Sequence, residues 1–201
     1  MLKLLMSPAS PFVRKVRVLT REAGRENEVE EVRVQTTALA TDPAILPHNP
    51  TGRIPVLVRE DGPAILDSRV ICRFLDDRFQ AGLYPEDRIW EVLTLEALAD
   101  GILDSALAMA YEVRLRPEER QWPDWLEAQW AKVAGALDAV EADWMDHLGG
   151  PLDMGQVALA CALGYLDFRH GPRGWRNGRP RLAEWDARMA ARPSLRATIP
   201  A

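Results

Sequence analysis

The sequence of 201 residues contains only two cysteines, Cys72 and Cys161, and only three lysines. Each cysteine lies in an apolar segment with helical spacing, which predicts buried thiols in a reducing compartment and not a disulfide framework. No apolar stretch reaches about 18 residues, so a membrane-spanning helix is not expected. The apolar segment at the N-terminus is too short for a signal peptide. These features together favour a cytoplasmic protein.

Excess positive charge and grouped histidines are also absent. The formal net charge is −5 and no long basic run occurs, which argues against a nucleic-acid-binding surface. The histidines, His48, His147 and His170, lack metal-ligand spacing with one another or with the cysteines, so no metal is predicted. The apolar content of 47% is that of an ordinary globular chain, long enough for one large or two small domains.

Residues 49–68 carry the densest set of structural signals. A turn sequence leads to Ile54-Pro55, and an apolar run follows. Because proline cannot donate to a sheet ladder, Pro55 fits the first residue of a strand or an edge. The Asp-Gly pair at 61–62 predicts a hairpin turn to a second short strand. A strand, a turn, a strand and the start of a helix are therefore expected within this segment.

The two ends of that segment have groups that suit a peptide-like ligand. The residue before Pro55 is expected to expose its own backbone N–H and C=O. Helical spacing begins after Asp67-Ser68, and either residue can cap the helix. A helix start favours a carboxylate at Ser68, while Asp67 suits an ammonium group. From the residues alone, a plain hairpin followed by a capped helix is the alternative.

The first 79 residues predict a small mixed α/β domain. A strand is expected at 2–6, a helix from Ser10-Pro11 to Gly24, and a second strand at 29–34. A short helical piece is expected from Thr41 or Asp42 to near His48. Residues 80–85 have the composition of a linker.

The second part of the chain predicts an all-helical domain, and it contains all seven tryptophans, which are expected to be packing residues. Helical spacing covers four segments, at 90–111, 126–144, 157–168 and 182–189. Asp153 and Gln156 have the spacing of a capping box at the start of the third of these helices.

These features together resemble the glutathione transferase family, over the whole chain. The segment Asn-Pro-Thr-Gly-Arg-Ile-Pro-Val-Leu at 49–57 is similar to the family's Asn-Pro-x-Gly-Lys-Val-Pro-x-Leu, and Asp67-Ser68 is similar to its Glu/Asp-Ser pair. Asp153 begins an Asp-x-x-Gln box where the family has Ser/Thr-x-x-Asp. Three further segments resemble the bacterial YibF-like branch of the family, at 10–15, 96–101 and 160–166.

The resemblance implies an α/β thioredoxin-like glutathione-binding domain at 1–79, followed by an all-α domain at 86–201. It also implies a cis bond before Pro55. The implied activity is that of a homodimeric transferase that activates the glutathione thiol as a thiolate and conjugates it to a small electrophilic or hydrophobic substrate. Glutathione is then a co-substrate, and no metal, nucleic acid or membrane is involved.

Two serines compete for the role of activating the thiol. Ser10 precedes Pro-Phe, as the cysteine does in the omega-type Cys-Pro-Phe site, and it is our choice as the catalytic residue. Ser7, closer to the end of the first strand, is the alternative. Because no cysteine lies nearby, mixed-disulfide chemistry is not expected. A plain helix cap is the ordinary structural use of Ser10.

The resemblance implies a set of glutathione-binding residues, namely Ser10, Arg53, Ile54, Asp67 and Ser68. It also places Asp100 within reach of a partner subunit's ligand, although an aspartate on the helix surface without such a role is the simpler interpretation. Met109 and Tyr111 either line the electrophile pocket or belong to the core.

Two other functions remain open from the sequence. A glutathione-dependent isomerase of the zeta type resembles Ser-Ser-x-Ser/Cys sites, whereas this chain has only Ser7 and Ser10. A non-catalytic binding protein on the same fold, resembling stringent starvation protein A, is the third possibility. The presence of Ser10, Ile54-Pro55 and Asp67-Ser68 favours a ligand-binding site over that possibility. The residues do not identify the electrophile.

Overall fold

The computed structural model describes all 201 residues and forms two compact units. The first unit contains Met1–Asp87 together with Pro193–Ala201, and the second contains Arg88–Arg192. The C-terminal segment therefore joins the α/β unit, whereas the sequence suggests that it belongs to the helical domain. Arg14, only 6% exposed, holds this segment by donating from Nη2 to the carbonyl of Leu195 at 3.1 Å.

The first unit is built on a four-stranded mixed sheet in the order β2-β1-β3-β4. Strand β1 is parallel to β2 and antiparallel to β3, and β3 is antiparallel to β4. In this register Leu5 pairs with Val56, and Val56 pairs with Leu66. The end of β1, the start of β3 and the end of β4 consequently lie at one edge of the sheet. The strand bounds are β1 Leu2–Met6, β2 Val29–Arg33, β3 Val56–Val58 and β4 Ile65–Leu66.

Three α-helices accompany the sheet, namely α1 Pro11–Glu22, α2 Ser68–Phe79 and the short C-terminal α8 Pro193–Arg196. The apolar face of α1, with Val13, Val16 and Leu19, is completely buried, as its spacing predicts. Helix α1 starts after the capping residue Ser10, and α2 starts after the capping residue Asp67. The two longer helices pack against each other.

The short helix predicted from Thr41 or Asp42 to near His48 is wrong. This segment forms successive turns, with the N–H of Ile45 bonded to Asp42 and the N–H of His48 bonded to Ile45. Pro47 lacks the backbone N–H that a helix continuing past its first turn would need, whereas Pro43 alone would be tolerated at a helix start. Ile45 is nevertheless fully buried, so this side chain anchors the segment in the core.

The second unit is entirely helical, as predicted. Its helices are α3 Ile89–Leu115, α4 Pro123–Asp143, α5 Met145–Leu148, α6 Met154–His170 and α7 Pro180–Ala190. Helix α6 is buried along almost its whole length, which agrees with its apolar sequence on all sides. None of the helices combines the length and apolar character that crossing a bilayer requires.

Helices α3 and α6 run parallel and in close contact. At their starts, a Cβ on Gly155 would lie 2.9 Å from the carbonyl oxygen of Val92. Further along, His170 Nε2, at the end of α6, lies 2.8 Å from the carbonyl oxygen of Ala106. The last turn of α6 therefore lies beside Ala106, and α3 continues beyond this point to Leu115.

Only half of the predicted capping box forms at the start of α6. Asp153, fully buried, accepts a hydrogen bond from the N–H of Gln156 at 3.0 Å. The Gln156 side chain does not return to Asp153 but donates to the carbonyl of Pro151 at 2.8 Å. The second half of the box is thus replaced by a bond that fixes the preceding loop.

Burial of the cysteines is confirmed, but burial of the tryptophans is confirmed only in part. Both thiols are buried and form no disulfide. Trp175 and Trp185 are each 2% exposed, whereas Trp90 and Trp122 are 76% and 62% exposed. Tryptophan content alone therefore does not indicate which of these rings lie in the core.

The glycines of the helical unit allow a paired test of its packing. Gly135 is exposed in α4 with no atom within 4 Å of a built Cβ, so Gly135→Ala should stabilise the protein by about 1 kcal/mol through helix propensity. Gly155→Ala should destabilise it, because the added methyl group would meet the carbonyl of Val92. Urea unfolding of the two variants measures both changes. A stabilising Gly155→Ala would contradict the close contact of α3 and α6.

His170 should make stability depend on pH. Burial lowers the pKa of its imidazole, and the cationic Arg173 and Arg169 act in the same direction, against the hydrogen bond to Ala106. Because the unfolded chain then takes up the proton first, stability should decline as the pH falls below about 6.5. His170→Gln, which keeps a donor for Ala106, should show a smaller decline in urea unfolding at successive pH values. An equal decline in both proteins would assign the pH dependence to other groups.

Candidate functional site

The candidate site lies at the sheet edge where β1 ends, β3 begins and β4 ends. Ser10 follows β1 at the start of α1, and Ile54 directly precedes the proline that leads into β3. Asp67 and Ser68 follow β4 at the start of α2. The antiparallel pairing of β3 with β1 and β4 brings these segments to the same edge. Together with Arg53, these residues are called the sheet-edge site below.

Ser10 is the N-cap of α1, and Pro11 occupies the first turn. Its Oγ accepts a hydrogen bond from the N–H of Val13 at 3.3 Å, and its own N–H donates to the carbonyl of Ser7 at 3.0 Å. The hydroxyl hydrogen of Ser10 is not used by any bond within the chain, so it can be donated to a ligand. Capping and ligand binding are therefore compatible roles for this side chain.

Asn49 holds the turn before β3, a role that the sequence analysis did not assign. Its buried side chain donates to the carbonyl of Arg53 at 2.8 Å and accepts from the N–H and the hydroxyl of Thr51. Gly52 has φ +69°, and a Cβ there would lie 2.7 Å from the Thr41 hydroxyl oxygen. The Asn-Pro-x-Gly sequence is the signal that could have identified this turn as a support for the site.

The bond between Ile54 and Pro55 is cis, which confirms the prediction. The N–H and C=O of Ile54 form no hydrogen bond within the chain, so both are open backbone groups directly before β3. Arg53 is exposed, and its guanidinium forms no ion pair. This short segment therefore offers one donor, one acceptor and one cation.

Asp67 and Ser68 form the third part of the site. Asp67 caps α2 with φ +68°, a conformation that is uncommon for a residue with a side chain and is often found at functional sites. Its carboxylate accepts from the N–H of Arg69 at 2.9 Å and from Arg69 Nε at 3.2 Å. Ser68 is 4% exposed, and its N–H and hydroxyl have no partner within the chain.

The charge of Asp67 is favoured by its neighbours. Partial burial opposes ionisation, but the hydrogen bonds from Arg69 outweigh it and hold the pKa of the carboxyl below its usual range. Lys15, fully buried in α1, adds a smaller effect in the same direction. Asp67 is thus an anion beside the positive start of α2. The structure adds Arg69 as an internal partner that the sequence analysis did not foresee.

The arrangement suits a small zwitterionic peptide. The starts of α1 and α2 favour negative charge, and the open N–H and hydroxyl of Ser68 can bind a carboxylate. Asp67 supplies the opposite charge for an ammonium group. The open N–H and C=O of Ile54 can pair with a peptide backbone in the manner of an added strand.

The other candidate residues of the sequence analysis lie on α3. Asp100 is 7% exposed, so its interpretation as a surface residue is wrong. Met109 is 2% exposed and belongs to the core, while Tyr111 is half-buried two residues further along.

Comparison with known proteins agrees with these features. Residues 9–78 match the sequence profile of the glutathione S-transferase N-terminal domain, and residues 123–188 match that of the C-terminal domain. The chain belongs to the glutathione S-transferase family. It is 34% identical to an uncharacterized GST-like protein of Escherichia coli K12, YibF, over 99% of this chain and 98% of the relative.

Solved structures give the same family assignment for this chain. A family member from Pseudomonas fluorescens Pf-5 with bound glutathione has a TM-score of 0.97 and 43% identity, with 100% of both chains covered. A structure of a family member from the same strain, with bound S-(propanoic acid)-glutathione, has a TM-score of 0.93 and 41% identity, again over 100% of both chains. The predicted order of a thioredoxin-like α/β domain and an all-α domain is therefore confirmed.

Proposed function

We propose that this glutathione S-transferase binds glutathione at the sheet-edge site, activates its thiol with Ser10, and conjugates it to a small electrophile. The convergence of open groups from three segments at one sheet edge carries the proposal. Glutathione bound to the Pseudomonas fluorescens family member supports the choice of ligand.

Each part of glutathione has a partner of matching chemistry. Ser68 and the start of α2 receive the γ-glutamyl carboxylate, and Asp67 receives the ammonium group. Ile54 pairs its backbone with the cysteinyl part. Arg53 directly precedes Ile54 and carries a positive charge, so it is assigned to the glycine carboxylate. The sulfur is then assigned to Ser10.

Thiol acidity explains the role of Ser10. A free thiol with a pKa of about 8.5 is mostly protonated at neutral pH, so a group that stabilises the thiolate raises the reactive fraction. A hydrogen bond to a charged group contributes about 1.5–3 kcal/mol, which corresponds to roughly one to two pKa units. The positive start of α1 stabilises the same anion.

The chemical step needs only the two reactants. The thiol proton passes to solvent, and the sulfur lone pair forms a bond to the electrophilic carbon. Either a leaving group departs with its electron pair, or the electrons of a conjugated double bond move to the neighbouring carbon, which takes up a proton. The protein contributes thiolate stabilisation and positioning. S-(propanoic acid)-glutathione, bound to a family member, has the form of a product of such an addition.

A homodimer in the cytoplasm is part of the proposal. Large apolar side chains are exposed on α2 and α3, with Val70 at 53% and Trp90 at 76%. Burial of such side chains favours self-association. Light scattering of the purified protein measures the oligomeric state.

The function is tested by two measurements on the intact protein. Calorimetric titration with glutathione should show binding, and a screen of electrophiles should show thiol consumption above the uncatalysed rate. Binding without turnover of any electrophile would favour the non-catalytic alternative. Turnover of a cis double bond without net glutathione consumption would favour the zeta-type isomerase. Absence of glutathione binding would reject the proposal.

A further inference from the structure

The C-terminal segment of the chain packs on α1, the helix that begins at Ser10. Helix α8 contacts α1, and three residues of the segment are buried, namely Ser194, Leu195 and Thr198. We call these three residues the C-terminal anchor. The proposed function assigns no role to the contact between this anchor and α1.

The C-terminal anchor is bonded to both ends of α1. Near the start of the helix, Arg14 Nη2 donates to the carbonyl of Leu195 at 3.1 Å, and Arg14 Nε lies 3.5 Å from the hydroxyl oxygen of Thr198. At the end of the helix, the Ser194 hydroxyl donates to the Glu22 carboxylate. The Thr198 hydroxyl donates to the carbonyl of Ser194 at 2.8 Å, which fixes the anchor itself.

Arg14 lies one helical turn after Ser10. Its N–H donates to the carbonyl of Ser10 at 3.0 Å, and the N–H of Val13 donates to the Ser10 Oγ at 3.3 Å. Residues four apart share a helix face, so the side chain that meets the anchor projects from the same face as Ser10. A contact that fixes Arg14 therefore also fixes the place from which the Ser10 hydroxyl is presented.

The environment of Arg14 is costly for folding. The side chain is buried, its two partners are uncharged, and its Nη1 has no hydrogen-bond partner. A cation one turn from the start of a helix is also opposed by the helix dipole, which favours cations at the other end. Apolar side chains often replace buried charged groups without loss of stability. The arrangement therefore indicates a role for Arg14 other than stability.

We propose that the C-terminal anchor positions the start of α1 for thiolate stabilisation, and that Arg14 is the positioning residue. A hydrogen bond depends on distance and angle, so a small displacement of Ser10 weakens its bond to the sulfur of glutathione. Arg14 acts through Ser10 and does not itself need to touch the ligand. The contact of the anchor with α1 is independent of the proposed function, whereas its consequence for the thiol rests on that function.

Two other roles for Arg14 make different predictions. A purely structural arginine would affect thermal unfolding and leave the thiol unchanged. A purely electrostatic arginine would stabilise the thiolate by its charge, and a lysine would serve equally well. The positioning role requires the planar guanidinium, which can hold a carbonyl and a hydroxyl at the same time. Variants of Arg14 and Thr198 separate these roles.

The main measurement is the pKa of glutathione bound to the intact protein, obtained by ultraviolet titration of the thiolate. Arg14→Met should raise this pKa by about half a unit to one unit, which is part of the shift expected for complete loss of the Ser10 hydrogen bond. Thr198→Val should raise it by less. Arg14→Lys keeps the charge but not the paired donors, so its pKa should lie between those of Arg14→Met and the wild type. S-methylglutathione, which has no thiol, should bind all of these proteins with nearly equal affinity.

Thr20→Val is the matched control for Thr198→Val. Both hydroxyls are buried and each donates to the carbonyl four residues earlier at 2.8 Å, but only Thr198 also contacts Arg14. Thermal unfolding should therefore show similar losses of stability, whereas Thr20→Val should leave the thiol pKa unchanged. Hydrogen exchange of the N–H groups at positions 13 and 14, measured without glutathione, reports on the start of α1 directly. It should be faster in Arg14→Met and Thr198→Val than in Thr20→Val.

A thiol pKa that rises in the Arg14 and Thr198 variants but not in Thr20→Val supports the proposal. A normal pKa in Thr198→Val, together with full restoration by Arg14→Lys, assigns the effect to charge and overturns the positioning role. Unchanged pKa values in both Arg14→Met and Thr198→Val, in a wild type that binds glutathione, also overturn it. If the wild type does not bind glutathione, the proposed function fails instead. Hydrogen exchange then decides alone, and equal rates in the wild type and Arg14→Met reject the anchor.

Discussion

Ser10→Ala should raise the pKa of bound glutathione by about one to two units, because the thiolate loses one hydrogen bond. At neutral pH the thiolate fraction, and with it kcat/KM, should fall about eightfold to twenty-five-fold, because the pKa returns toward about 8.5. The structural basis is the position of Ser10 at the start of α1, with a hydroxyl hydrogen that no group in the chain uses. Ultraviolet titration of the bound thiolate measures the pKa directly.

The controls for Ser10 separate chemistry from folding. Loss of the N-cap alone should cost about 1 kcal/mol of stability, which thermal unfolding measures independently. Ser10→Thr keeps the hydroxyl and should preserve most of the thiolate stabilisation. Ser7→Ala should leave the pKa unchanged. If Ser7→Ala raises the pKa and Ser10→Ala does not, the activating residue is Ser7, and if neither does, the backbone N–H groups stabilise the thiolate.

Asp67→Asn and Ser68→Ala should each weaken glutathione binding by about 1–3 kcal/mol per lost hydrogen bond. Ser68 is almost fully buried and has open donors, so a ligand carboxylate would be bound there with little competition from water. Asp67 supplies the charge opposite the ammonium group. Ile54→Val should leave the affinity for glutathione nearly unchanged, because Ile54 contributes its backbone. Calorimetric titration of the three variants gives the comparison.

Arg69 provides the control for Asp67. The Asp67 carboxylate is bonded to the Arg69 side chain, so Asp67→Asn disturbs that pair as well as any ligand contact. Arg69→Met removes the internal partner and keeps the carboxylate, and it should leave most of the glutathione affinity intact. Equal losses in Arg69→Met and Asp67→Asn would show that Asp67 acts through the helix start. If both Asp67→Asn and Ser68→Ala bind glutathione normally, Asp67 and Ser68 serve only to cap the helix.

Much of the local structure could be predicted because its causes are local. Ser10-Pro11 has the cap and the first residue that begin α1, and the apolar spacing that follows determines its buried face. The Asp-Gly turn and the short apolar runs on either side predict the β3–β4 hairpin. The composition of α6 predicts its burial on all sides. In each case the relevant interactions span only a few residues.

The residues of the sheet-edge site were identified from the sequence, but strand pairing determines that they lie close together. Leu5 pairs with Val56 across about fifty residues, and that register decides which ends of the strands share an edge. Local pattern shows that a strand buries one face, but it does not specify the partner strand. The sequence analysis therefore identified the ligand-binding groups but not their arrangement in space. It did not identify Asn49, because the hydrogen bonds of Asn49 depend on how the turn folds back.

The residues alone were enough to predict the order of the main strands and helices, the caps that begin α1, α2 and α6, and the candidate ligand groups. The fold was needed to show that Pro193–Ala201 joins the α/β unit and that two tryptophans remain exposed. The physical reason is that capping and periodicity act within a few residues, whereas burial and charge compensation depend on which distant segments pack together.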